Sequence, residues 1–156
     1  MVEIPSIPGT YSIVLSLNRN LHMATSSREF GLRKGTYVYI GSARGPGGLK
    51  ARLSRHLAKK KDGRWHIDYL TSSPHCRIMA LVSCASNRRL EVKLCKMFSK
   101  DQRYNAIRGF GSSDDFENAS HLFLFRSDVR GCIASTISKH KSLRGSGAMI
   151  FVARWL

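Results

Sequence analysis

The chain has 156 residues, enough for one domain with a real core, and its 42% apolar and 23% charged content is that of a globular protein, not a disordered one. Lys and Arg number 26 against 10 acids, and the resulting net charge of +16 attracts polyanions and disfavours basic partners. No stretch approaches the roughly 18 apolar residues of a membrane span, so nucleic acid is the expected partner ahead of an anionic membrane.

The start, Met1 to Ser6, lacks the basic flank and apolar stretch of a signal peptide. The first extended run is Thr10 to Leu17, where Tyr11, Ile13, Leu15 and Leu17 alternate with Ser12, Val14 and Ser16; the second is Gly35 to Ile40, setting Tyr37 and Tyr39 opposite Val38 and Ile40. Between them, Asn18 to Lys34 is long for a hairpin turn and extends the pair into an arm. Gly45-Pro46-Gly47-Gly48 breaks the chain, and a helix follows in which Leu49, Leu53 and Leu57 form an apolar stripe. On that helix Arg52, Arg55, His56 and Lys59 form a basic stripe. Arg64 to Leu70 reads as a short helix or turn, Ile78 to Val82 as a buried strand, and Arg88 to Phe98 as an amphipathic helix with Leu90, Leu94, Met97 and Phe98 on its core face. His121 to Phe125 is a further strand and Val129 to Lys139 a helix, before a turn from Leu143 to Gly147 and a last apolar run, Ala148 to Val152. With no repeat and no linker, the expectation is one domain over residues 1–156. Its class is α/β (α+β), with a small central antiparallel sheet of about three strands flanked by helices. Cys76, Cys84, Cys95 and Cys132 form no CxxC pair and no metal-ligand spacing, so they are expected to be reduced thiols, several of them buried, in a cytoplasmic protein.

Candidate chemistry is sparse. Arg52 and His56, four residues apart, stack on one helix face. A guanidinium can hold two phosphate oxygens and an imidazole can move a proton near neutral pH; an ordinary solvated basic face fits the spacing as well. Glu91 sits at the edge of its helix's core-facing stripe, where it is either a hard oxygen ligand for Mg²⁺ or a surface acid paired with Arg88. Tyr11 and Tyr39 have the pattern of core residues. Lys50, Arg55, Lys59, Lys60, Lys61 and Arg64 supply positive charge for a phosphate backbone, although a solvated helix end explains the lysine run equally. Trp65 and Tyr69 can stack on bases or anchor a short helix. Asp114, Asp115, Glu117 and His121 form the densest acidic cluster, read either as a second metal site or as a turn-rich loop.

The order of these pieces resembles a known family. Gly9-Thr10-Tyr11 followed by Tyr39-Ile40-Gly41 is similar to the paired motifs of the GIY-YIG nuclease superfamily, and Arg52-Leu53-Ser54-Arg55-His56-Leu57 to the helix that follows them. Tyr37 to Ala43, Gly47-Gly48-Leu49, Arg64 to Leu70 and Gly109 to Asp114 resemble the branch catalogued as domain of unknown function 123, sometimes fused to an endonuclease III domain. The resemblance runs from about Gly9 to Phe125 and leaves residues 126–156 as an extension without an assigned role. It implies a small three-stranded antiparallel sheet flanked by helices, and an endonuclease that hydrolyses DNA in repair or processing, with a repair enzyme as a partner; the residues themselves leave both DNA and RNA open. By the same resemblance Tyr11 is the general base, Tyr39 lines the site, Arg52 stabilises the phosphate and His56 assists proton transfer. Glu91 holds one divalent ion, Mg²⁺ or Mn²⁺. A phenol, with an ordinary pKa of about 10, needs nearby positive charge to act as that base. The alternative is a catalytically silent DNA-binding module of the same fold. Three departures stand out: the gap from Tyr11 to Tyr39 is long, Thr10 replaces the isoleucine of the first motif, and Asp115, Phe116 and Glu117 stand where relatives carry cysteines.

Overall fold

The computed structural model of the chain describes residues 3–25, 28–63, 65–111, 120–143 and 149–154. Arg64, the acidic cluster Asp114, Asp115 and Glu117, and the turn from Arg144 to Gly147 lie outside the described residues.

The alternation read at Thr10 to Leu17 becomes β1 (Gly9–Leu17), and that at Gly35 to Ile40 becomes β4 (Gly35–Ala43). They pair antiparallel, as expected, with Ile13 opposite Tyr39 and Tyr11 opposite Gly41. On the other side of β1 lies β5 (Cys76–Ala85), also antiparallel, with a bulge where the register shifts between Val14 and Leu15. Eight of the nine β1 residues are buried, because β1 is central in the sheet and covered on both faces.

The arm between β1 and β4 is a separate two-stranded ribbon, β2 (Leu21–Ala24) with β3 (Glu29–Leu32). It folds back on the core, burying Phe30 and Leu32, and Phe30 packs 5.1 Å from Phe110.

The expectation of about three strands is corrected by the fold. The main sheet has six, in the order β6–β7–β4–β1–β5–β8, with every pairing antiparallel; here β6 is Tyr104–Ala106, β7 Leu122–Phe125 and β8 Met149–Arg154. Two of the added strands were legible as apolar runs. Their place in the sheet was not, because a run of four to six residues carries too little alternation to reveal its partner. β8 lies on β5, with Val82 opposite Val152, so the C-terminal segment completes the sheet and is not an appendage to it.

Helices cover both faces. On one face α1 (Gly48–Leu57) and α2 (His66–Thr71) bring Leu49, Leu53, Ile67 and Leu70 onto Tyr11, Ile13, Leu15 and Leu17. On the other, α3 (Glu91–Lys100) and α4 (Val129–Lys141) bring Leu94, Cys95, Phe98, Cys132 and Ile133 onto Val14, Val38, Ile40 and Ala80. The two residue sets of β1 therefore serve two cores. All four cysteines are buried and free of disulfides, and no helix among the described residues is long and apolar enough to cross a membrane.

Candidate active site

β7 pairs with Thr36 to Tyr39 alone, so β4 runs on beyond it through Gly41 to Ala43. Beside that extension the starts of α1 and α3 approach, leaving a cleft of about 510 Å³. Its charged lining is Arg44, Arg52, Arg89, Glu91 and His121, four basic side chains around one carboxylate.

The glycine break positions α1. Gly47 and Gly48 have φ of 82° and 55°, in the left-handed region that L side chains rarely adopt. A Cβ on Gly48 would also strike the Ile7 backbone. This close approach lets the carbonyls of Ile7 and Pro5 accept from the N–H groups of Leu49 and Lys50, which satisfies the first turn of α1 without a side-chain cap. Four residues into α1, Arg52 is part-buried, with its guanidinium carbon 4.5 Å from the Trp65 ring centroid. Trp65 packs against the core and against both Arg52 and Arg55, which accords with its reading as an anchor.

One turn further on, His56 is almost fully buried, and its Nε2 accepts from the Tyr11 hydroxyl at 2.7 Å when the imidazole is neutral. The Tyr11 ring crosses β4 at Gly41, where a Cβ would overlap the phenol oxygen. The glycine of the Tyr39-Ile40-Gly41 motif therefore makes room for the tyrosine of the first motif. Tyr39 stands beside this pair, its ring centroid 6.2 Å from that of His56.

Burial dominates the electrostatics of this group. It pushes the Tyr11 phenol well above its ordinary value; Tyr39 and Glu91 push the same way, while the charge and hydrogen bond of Arg52 oppose them. Tyr39 is raised by burial and then by Glu91. Burial, reinforced by the Lys61 charge, lowers His56 to about 3, so the imidazole is neutral at pH 7. The expected lowering of the tyrosine base is therefore absent from the protein alone, and its hydrogen-bond partner is a neutral acceptor.

At the other wall, Glu91 opens α3, where a carboxylate also suits the helix dipole. Its Oε1 lies 2.8 Å from Nδ1 of His121, which also faces the Ile40 carbonyl at 3.2 Å. Burial would lower His121, but the Cys95 thiol and the Glu91 carboxylate outweigh it and raise the imidazole to about 11. Glu91 is the closer of the two, since Cys95 Sγ is 4.0 Å away. His121 forms this ion pair with Glu91, and among the described residues no cluster of three potential metal ligands occurs; Asp114, Asp115 and Glu117 lie outside the described residues.

A family model, domain of unknown function DUF123, matches residues 10–142. The chain belongs to this family. The match runs past Phe125 to the end of α4, so that helix is part of the DUF123 domain and not of an extension. No curated protein and no solved structure matches the chain.

Within the DUF123 domain, Tyr11, Tyr39, Arg52 and His56 come together, and Glu91 is close enough to act on both tyrosines. They do not all line the cleft. Arg52 and Glu91 do, while Tyr11 and His56 form a buried layer that Arg52 connects to it.

The remaining cations have other company. Arg55 bonds to Asp62 and to the buried Asp68, Lys59 to the carbonyls of Thr71 and Cys76, and Lys61 to the carbonyls of Arg55 and His56 and to Thr71 Oγ1. Lys50 and Lys60 are exposed, and Arg64 lies outside the described residues. Sequence reasoning missed the pairing of His121 with Glu91 and the presence of Arg44 and Arg89 in the cleft. Nothing in local spacing signals a contact made across 30 residues.

Proposed function

We propose that this DUF123 domain is a metal-dependent endonuclease of GIY-YIG type that hydrolyses phosphodiester bonds in DNA. The observation that carries this reading is the Tyr11–His56 hydrogen bond of 2.7 Å, placed behind a cleft where Arg52 and Glu91 meet. Arginines at such a cleft favour a bound phosphodiester and the charge that develops on it during attack.

Mg²⁺ or Mn²⁺ fits the donor set. A hard ion of this kind uses one or two carboxylates and keeps several waters, and Glu91 is the one carboxylate in the cleft lining among the described residues. Held there, the ion supplies Lewis-acid stabilisation of phosphate charge. His121 orients the carboxylate by holding one of its oxygens.

The chain's own proton chemistry follows from the buried pair. Because burial disfavours a free phenolate, Tyr11 acts as a relay. Its hydroxyl proton passes to Nε2 of His56 as it accepts the proton of the attacking water, a transfer favoured by the negative charge of a bound phosphodiester, which counters the Lys61 and Arg52 charges that, after burial, lower His56. Water oxygen bonds to phosphorus as the bond to the leaving oxygen breaks, and the leaving alkoxide takes a proton from solvent water in the cleft, giving a phosphate monoester and a hydroxyl. The Nδ1 of His56 has no hydrogen-bond partner among the described residues, and a catalytic role is one explanation for such a buried orphan.

The deciding experiment is an assay on single-stranded, duplex, flap and junction DNA, with Mg²⁺, with Mn²⁺ and with chelator. Metal-dependent cleavage of at least one substrate is expected. Salt-sensitive binding without cleavage under any condition would instead identify a silent DNA-binding module.

A further inference from the structure

α3 presents a second feature that the proton chemistry does not use. Arg89, just before the helix, and Lys93, Lys96 and Lys100 along it are all exposed. Their spacing of i, i+4, i+7 and i+11 places them in one row on the side opposite Leu94, Cys95 and Phe98. With Val92 and Met97 this row lines a groove of about 470 Å³. No acid is part of that lining among the described residues, and nearby Asp101 is bound to Arg103 and Lys139. The groove joins the cleft directly, since Arg89 and Val92 line both.

Like charges three and four residues apart oppose helix formation. A polyanion along the row would relieve that repulsion. The cations first expected to meet phosphate, Arg55, Lys59 and Lys61, are engaged within the protein.

We propose that the Arg89–Lys100 face of α3 is a track for the phosphate backbone of the DNA whose scissile segment occupies the cleft. This rests on the nuclease reading of the cleft and adds the direction in which the DNA leaves it. Eleven residues of helix span about 16 Å, roughly five phosphate steps at about 3.4 Å each along one strand of a duplex. The apolar floor of Val92 and Met97 lets the lysine stems lie flat with their ammonium groups at the rim.

The test compares two triple variants with wild type in metal-free binding to a duplex of about 30 base pairs over a range of salt. Lys93→Ala/Lys96→Ala/Lys100→Ala removes the track. Arg19→Ala/Lys34→Ala/Arg77→Ala removes the same charge from exposed positions near the Leu17–Gly35 end of the sheet, away from the cleft. Each lost phosphate contact reduces the log–log salt slope by about 0.9, so the track variant should lose about 2–3 and the control less than one. Equal slopes for the two variants, with wild type still steep, would overturn the track and leave the nuclease reading standing. A wild-type affinity indifferent to salt would overturn both. Alanine keeps the helix propensity; a Lys→Gln set, checked by circular dichroism, gives the same comparison should the alanine set fail to fold.

Discussion

Glu91 touches His121 on one side and lines the cleft on the other, so removing its charge tests its role. Glu91→Gln keeps the shape and removes the charge. Cleavage should fall about 100-fold or more, about 2.7 kcal/mol in the barrier, while metal-free DNA binding stays level or tightens because a repulsive charge has gone. Undiminished cleavage would refute the metal-ligand role. At Tyr11, substitution by Phe removes the only group that hydrogen-bonds His56 Nε2 among the described residues. Loss of an acid–base partner typically costs about 100-fold to 10,000-fold, and it should appear in kcat on a DNA substrate that binds as before. An active Tyr11→Phe enzyme would show that the relay runs elsewhere. Each of these residues was visible in the sequence as a motif position. Their burial and protonation were not, since desolvation depends on what covers a side chain and not on its neighbours in the chain.

For the helices, the question is which face each one turns to solvent. The spacing in α1 made Arg52, Arg55, His56 and Lys59 one basic stripe, and the helix is indeed there. Its stripe divides: Arg52 reaches the cleft, His56 lies beneath the sheet face, and Arg55 holds Asp68, whose side chain is fully buried. Arg55→Ala would leave that carboxylate with only the Trp65 N–H as donor among the described residues. A loss of about 3 kcal/mol in unfolding free energy is expected, at the low end for a broken buried pair because Arg55 is partly exposed. Urea titration measures it, and the salt slope of DNA binding should be nearly unchanged in the same variant. A variant of wild-type stability with a flattened slope would return Arg55 to the nucleic-acid surface.

At the scale of the whole molecule, net charge and buried histidines set how the protein responds to its medium. Binding through about five phosphates gives a log–log salt slope of about −4 to −5 on duplex DNA; a slope near zero would contradict the polyanion reading of the +16 charge. The pH response has a definite sign. Burial lowers His56 and His140 to about 3 each, whereas an unfolded histidine titrates near about 6.5. Between those values the unfolded chain takes up protons that the native state does not. The contribution of these two histidines is therefore full above about pH 6.5 and falls as pH drops toward 3, by at most about 1.4 kcal/mol per unit for each. His121, raised to about 11, keeps its full contribution throughout that acid range and loses it only as pH rises toward 11. His140 sits beneath β1, with Nε2 2.8 Å from Ser12 Oγ and away from the cleft. His140→Phe should make the decline from pH 7 to pH 4.5 shallower in chemical denaturation. An unchanged decline would place the acid sensitivity on other groups.

By itself the sequence determined the periodic elements, the net charge of +16 and the order of the motif residues. Alternation and three-to-four spacing are local properties, and they survive in β1, β4, α1, α3 and α4 nearly where they were read. Gly41 and Gly48 were visible as motif and break, and the fold supplies the reason, close approach by Tyr11 and by Ile7. Only the tertiary structure decided how the pieces meet. Sheet register brings Glu91 to His121, β8 to β5, and Tyr11 over Gly41. It also decides which lysines turn inward to carbonyls and which line an open groove. Charge and periodicity are summed along the chain, whereas hydrogen-bond partners are chosen across it. A basic residue's type therefore predicts the field of the molecule but not the acceptor its own side chain finds.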